Sequence, residues 1–163
     1  MTGVQTCALP ISAMIISREY LATFQTEAQT LLEQHYQELT LHKEHIKLNV
    51  DWDKYYKLES IGGFVLITAR DEGKLVGYSA FFVSSHIHYK ETKVAMNDVL
   101  FLHKDYRKGS TGIKLIKESE KIMKDLDVSK IVWHVKLSND FTPILKRMEY
   151  IPEEVCVGKI LKE

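Results

Sequence analysis

Neither sign of charge prevails in this 163-residue chain, where 22 Lys and Arg stand against 22 Asp and Glu. That balance excludes a broad positive field able to hold nucleic acid or an anionic membrane, so any basic site must be local. No apolar run comes near the roughly 20 residues that a membrane-spanning helix needs. The start has neither the charged nor the apolar region of a secretory signal. These absences read as a cytoplasmic protein. Cysteine is scarce: Cys7 and Cys156 make no metal or redox spacing, and one pair is poor ground for a disulfide. Only three prolines interrupt the chain, and 45% of it is apolar, which fits one compact domain with an ordinary core. No internal repeat and no low-complexity segment is present.

The first residues, "MTGVQTCALPIS", carry no charge and no hydrophobic period. They resemble the translation of a common DNA-sequencing adapter. Residues 1–13 are therefore set apart as a non-native segment, with residues 14–163 as the domain. The natural start is then Met14 or an N-terminus that this segment replaced, and Cys156 is the one cysteine left.

Beyond it the elements alternate. "MIISREY" predicts a short strand, and Phe24, Ala28, Leu31, Leu32, His35, Tyr36 and Leu39 recur at helical spacing to predict one amphipathic helix. "DWDKYYKLES" predicts a second helix capped by Asp51 and stopped at Gly62-Gly63. Three strands follow: "FVLITAR", "KLVGYSAFFVSSHIHY" and "TKVAMNDVLFLH", the first two joined by a "DEG" turn in which Gly73 supplies positive φ. A long helix comes next, with Leu115, Ile116, Ser119, Ile122, Met123 and Leu126 facing inward. "KIVWHV" predicts a strand buried on both sides, "DFTPILKRM" a short helix that tolerates Pro143 in its first turn, and "EEVCVGKIL" a closing strand. The order β-α-α-β-β-β-α-β-α-β is α/β with a mixed sheet flanked by about four helices.

One connection carries chemistry. "YRKGSTGIKLI", residues 106–116, joins an apolar strand to the long helix through two glycines and two hydroxyl residues. The backbone N–H groups at such a helix start are unpaired, and the helix dipole favours an anion there. Gly109 and Gly112 let the backbone approach a ligand, Ser110 and Thr111 offer hydroxyls, and Arg107, Lys108 and Lys114 add charge. The turn is a phosphate cradle or an ordinary strand-to-helix connection. It is not a Walker loop, because the glycine-lysine-serine ending is missing, and it lacks the three spaced glycines of a dinucleotide fingerprint.

"LFLHKDYRKGSTGIKLIKESE" resembles the acetyl-CoA-binding signature of the GNAT superfamily of N-acetyltransferases, Arg/Gln-x-x-Gly-x-Gly/Ala between the fourth strand and the third helix. Arg107 takes the first place and Gly112 the last, while Ser110 stands where the middle glycine is usual. "HYQEL", "DWDKYYKLE", "GKLVGY", "HIHY", "ND" and "LKRMEY" are similar, in order, to the short GNAT proteins of phages and prophages over nearly all of residues 14–163. Glu149 stands where that group has glycine. The resemblance implies the GNAT fold and acetyl-CoA as cosubstrate, held by Leu100, Leu102, Arg107, Lys108, Gly109, Ser110, Thr111 and Gly112. It implies transfer of acetyl to a primary amine of a small molecule or protein, a homodimer, and, for a phage gene, work in the bacterial host cytoplasm. The tyrosine that many members use as acid aligns with Leu145.

Transfer needs a neutral amine and hence a proton acceptor. Asp98 alternates with Met96, Leu100 and Leu102, and a carboxylate on an apolar strand face is costly unless it is paired. It is the first candidate for base or amine anchor, against a structural aspartate. His88, on the same face as His86, is a candidate proton relay or a packing residue. Glu38, one turn after His35, is a third candidate that could equally be a surface residue. His86 and His88 with His42 and His45 lack the acidic or thiolate ligands that would complete a metal site, so no metal is expected.

Overall fold

The computed structural model describes residues 13–161, so the adapter-like segment lies almost wholly outside the described residues. The element order is β1 (Met14–Glu19), α1 (Leu21–Gln25), α2 (Gln29–Leu39), α3 (Trp52–Ser60), β2 (Phe64–Asp71), β3 (Lys74–His86), β4 (Tyr89–Leu102), α4 (Thr111–Asp125), β5 (Lys130–Val132) and α5 (Thr142–Arg147). The strands form one sheet in that order. Neighbours are antiparallel from β1 to β4, and β5 runs parallel to β4. The sheet is mixed, as expected.

Local chemistry sets the boundaries. Asp51 accepts the Lys54 N–H at 3.0 Å and caps α3. The same helix ends with Gly63 N–H donating to Leu58 and Gly62 N–H to Glu59, with Gly62 left-handed at φ +72°. Between β2 and β3, Glu72 and Gly73 both take positive φ, 49° and 84°, the primed turn whose twist suits a tight hairpin. The helix expected across residues 24–39 is broken in two. The Thr26 hydroxyl bonds back to the Thr23 carbonyl at 2.8 Å, competing with helix continuation. The apolar stripe nevertheless runs through the break, since Phe24, Ala28 and Leu31 are all buried. That split makes five α-helices among the described residues, where about four were expected.

The sheet separates two apolar layers. On one face α1, α2 and α3 cover Phe64, Leu66, Tyr78, Ala80 and Phe101. On the other, Leu115, Ile116 and Met123 of α4 and Leu145 of α5 cover Val65, Ile67, Phe81, Val83 and Ala95. Ser119, buried in the α4 stripe, meets Ser79 of β3 at 2.8 Å and also bonds the Leu115 carbonyl. The helix that follows the candidate cradle is thus fixed to the sheet.

Two expectations fail at the far edge. The strand at residues 130–135 is paired only at 130–132 and is half-buried rather than covered on both sides. Among the described residues, 153–161 form no strand, although Glu153 meets the Lys130 ammonium at 2.6 Å, and Val155, Val157 and Leu161 are left exposed. Their alternation suits a strand, but a strand also needs an edge to pair with, and β5 offers only three residues.

Candidate active site

Two irregularities meet at one point of the sheet. Along β3 and β4, Ala80 pairs with Val99 but Phe81 pairs with Asn97, so Asp98 has no partner across the ladder. This is a β-bulge, one extra residue that re-aims its side chain. The Asn97 amide holds it in place by donating to the carbonyls of Ala80 at 3.1 Å and Val99 at 2.9 Å. On the other side of β4, the last pair with β5 is Met96 with Val132. Beyond it the two strands part, and residues 97–102 have no strand neighbour on that side.

The bulge corrects the expected alternation. Asp98 and Val99 border the same cavity in the α1–α3 layer, whereas Leu100 packs into the α4 layer. The cavity, about 270 Å³, runs from Leu21 and Phe24 past Trp52 and Phe64 to Asp98 and Lys136. Tyr55 donates to Asp98 Oδ2 at 2.6 Å. Burial raises the Asp98 carboxyl above the ordinary aspartate range, with the Tyr55 bond and the charge of a protonated His134 pulling the other way. The Tyr55 hydroxyl is itself held far from ionising by burial and by Asp98. Opposite, His35 Nδ1 and the Tyr78 hydroxyl share a 2.7 Å hydrogen bond, and the imidazole stacks on Phe101 at 4.9 Å between ring centres. Burial first, then the charge of Lys136, holds His35 down to about 4 against the pull of Glu38, so it is neutral at pH 7. Lys136 in turn donates to the Leu39 carbonyl at 2.5 Å.

The cradle follows β4 directly. After a short 3₁₀ turn at Lys104–Tyr106, Gly109 takes φ +102° and Ser110 leads into α4. Among the described residues, the N–H groups of residues 108–113 donate to no protein acceptor, and the Ser110 hydroxyl makes no cap. Six successive free donors thus stand at the start of a 15-residue helix, where the helix dipole favours an anion. A Cβ built on Gly109 would meet nothing within 4 Å, and one on Gly112 only Leu102 Cδ2 at 3.9 Å. The space before the turn is therefore open, and Lys108 and Lys114 are exposed beside it.

Arg107 is pinned rather than free. Its Nε donates to the Leu102 carbonyl at 2.7 Å, its guanidinium lies 5.3 Å from the Phe101 ring centre, and its Nη2 meets Glu38 at 2.6 Å. Glu38 thus ties α2 to the cradle and is occupied as a partner of Arg107. His88 is not brought to the site at all. It sits exposed at the β3–β4 hairpin tip beside His86, while Asp98 lies about 30 Å of extended chain further along β4. Leu145 is buried in the α4 layer. Nearby Tyr150 carries a buried hydroxyl without a hydrogen-bond partner and packs against Trp133 at 6.5 Å between ring centres.

Sequence reasoning missed Tyr55, Asn97 and His134. Adjacent polar residues at 97 and 98, inside an otherwise apolar strand, were the available signal for the bulge, because a regular strand would send one of them into each core layer. Nothing in the sequence marks Tyr55 as the partner of Asp98.

The acetyltransferase (GNAT) family model matches residues 19–142 of this chain. No curated protein matches it. Among solved structures, an aminoglycoside acetyltransferase from an uncultured soil metagenomic sample, in complex with trehalose, superposes with TM-score 0.71 at 16% identity, over 91% of this chain and 97% of that one. A ribosomal-protein-alanine N-acetyltransferase from Brucella melitensis biovar Abortus 2308 gives 0.69 at 19% identity, over 91% and 98%. A predicted acetyltransferase from Clostridium acetobutylicum, solved with acetyl-CoA, gives 0.66 at 12% identity, over 91% and 97%. The family match spans the strand bulge, the parting strands and the free helix start alike, and the chain belongs to the GNAT acetyltransferase family.

Proposed function

We propose that residues 14–163 form a single N-acetyltransferase domain that moves the acetyl group of acetyl-CoA to a primary amine of a small molecule or protein, by direct attack with both substrates bound. The observation that carries this reading is the juxtaposition on β4 of a re-aimed carboxylate, Asp98, with a free edge that leads into six unpaired N–H groups.

The residues fit acetyl-CoA. The open space before Gly109 and Gly112 and the free donors of residues 108–113 suit its diphosphate, with Lys108 and Lys114 beside them. The unpaired edge of β4 from Asp98 to Leu102 suits the amide-bearing arm. When bound, acetyl-CoA supplies an acetyl group activated as a thioester, whose C–S bond breaks as the C–N bond to the amine forms. Asp98 is positioned to accept the proton that the amine must lose, and burial, which raises its carboxyl above the ordinary aspartate range, makes it a stronger base than an ordinary aspartate. Tyr55 fixes the carboxylate's orientation. Overall, one proton passes from the amine to the leaving thiol. Glu38 acts through Arg107, and His88 has no part in this reading.

Titration calorimetry of acetyl-CoA into the protein tests it, with Gly112→Trp as the control that fills the open space. Saturable binding abolished by the tryptophan supports the reading. Folded protein that binds no acetyl-CoA would end it.

A second reading is a GNAT-fold module that binds CoA or a protein without turnover. Leu145 at the place of the family's usual acid, and Ser110 at that of its middle glycine, favour it. Intact CoA binding with no transfer to any amine would select it. The exposed apolar side chains of Val155 and Val157 support a homodimer. The similarity of the phage-like segments supports action in a bacterial host cytoplasm, and among the described residues no helix is long and apolar enough to cross a membrane.

A further inference from the structure

We propose that the acceptor is a monoamine with an apolar body about the size of one aromatic ring and a short chain, rather than a polyamine or an amino sugar. This rests on the acetyltransferase reading above and concerns the cavity in front of Asp98. Three observations carry it.

Size is the first. The cavity holds about 270 Å³, under twice the roughly 150 Å³ that accommodates benzene in an apolar protein cavity. One ring with an ethylamine-length arm fits that space, whereas a body of several rings would have to reach past Tyr36 and Val50 into the neighbouring hollow of about 330 Å³, where Lys47 adds a second cation.

The second is that the wall's tyrosines, His35 and Lys136 already have protein partners. Tyr55 serves Asp98, His35 and Tyr78 serve each other, and the Tyr36 hydroxyl donates to the Ile46 carbonyl at 2.8 Å. What faces the space is mainly Leu21, Phe24, Trp52, Phe64, Leu66 and Val99. Each hydroxyl or amine of a polar ligand buried there would lose its water without full replacement, an unfavourable exchange.

Charge is the third. Among the described residues, Asp98 is the only carboxylate lining the cavity, and the other formal charge on its wall is the ammonium of Lys136. One cationic amine finds one carboxylate, and a second ammonium on the same ligand would meet Lys136. Asp51 borders the neighbouring hollow, but its carboxylate caps α3 through Lys54.

The test compares 2-phenylethylamine, spermidine and kanamycin as acceptors, following thiol release from acetyl-CoA and, by calorimetry, binding of each amine to the CoA-saturated protein. The expected result is a kcat/KM for 2-phenylethylamine at least about tenfold above either polycation. Val50→Trp, which fills the cavity from the loop before α3, should weaken phenylethylamine binding by at least about tenfold while acetyl-CoA binds unchanged. A preference for spermidine or kanamycin overturns the inference and leaves the acetyltransferase reading standing. So does a protein that binds acetyl-CoA but neither binds nor acetylates phenylethylamine. Failure to bind acetyl-CoA defeats both.

Discussion

Replacing Asp98 by asparagine separates a functional carboxylate from a structural one, because the two roles move stability in opposite directions. Asparagine keeps the shape and an oxygen for Tyr55, so the 2.6 Å bond survives but changes from charge-assisted, worth about 1.5–3 kcal/mol, to neutral, worth about 0.5–1.5. That loses on the order of 1 kcal/mol. Against it stands the burial of the carboxylate, the largest influence on Asp98, which outweighs the Tyr55 bond because the carboxyl is raised overall. A carboxyl whose folded pKa lies above its unfolded one destabilises the fold as pH rises through that interval and continues to do so above it. At pH 7–8 the variant should therefore melt at or slightly above the wild-type temperature. Near pH 3, where both side chains are neutral, the difference should vanish. Transfer to an amine should fall by roughly 10²–10⁴-fold, the usual worth of a general base. Thermal melts at pH 3 and pH 7.5, paired with initial rates, give both readouts. A variant that loses more than about 1 kcal/mol at pH 7.5 yet retains transfer would show that Asp98 is a structural acid.

Three other substitutions test the surrounding structure. His35 is held down to about 4 in the fold, so protonation opposes folding and stability should fall as pH drops from about 6.5 to 4, by about 3 kcal/mol in all; denaturant melts of His35→Gln should show that slope flattened. Glu38→Gln breaks the 2.6 Å pair with Arg107 and, because both side chains are partly exposed, should cost at most about 1 kcal/mol. It should raise the KM for acetyl-CoA a few-fold and leave kcat unchanged, whereas a drop in kcat would return Glu38 to the chemistry. Glu149 occupies left-handed backbone at φ +67°, which costs a non-glycine residue about 1–2 kcal/mol. After the entropy that glycine adds to the unfolded chain, Glu149→Gly should still raise the melting temperature by a degree or two, and a lower one would contradict the strain.

Much of the fold was legible because periodicity and caps act locally. The Asp51 cap, the Gly62-Gly63 stop and the inward stripe of α4 all depend on residues within a few positions of each other. So does the left-handed turn at Glu149, visible in the sequence as a departure from glycine. What failed depends on pairing at a distance. Residues 153–161 have the alternation of a strand, but pairing needs a partner, and a local pattern carries no count of free edges. The site divides the same way. The cradle could be read from its glycines, its position before a helix and its likeness to a known signature. Asp98 was singled out by its polarity, but it was placed on one face with Leu100 and Leu102 from an alternation that the bulge at Asp98 itself interrupts. His88 looked close because it shares a strand pattern with His86, and the hairpin carries it to the opposite end of β4. Tyr55 reaches Asp98 only because α3 folds back over the sheet, a contact between residues 43 positions apart.

The most direct test of the central claim is the release of free thiol from acetyl-CoA by the protein, measured over a range of amine concentrations with the acetylated amine identified by mass. The account predicts release that depends on the amine, saturates in both substrates, and yields one acetyl-amine per thiol. Saturable acetyl-CoA binding without amine-dependent release would contradict it and leave a binding module on an acetyltransferase fold.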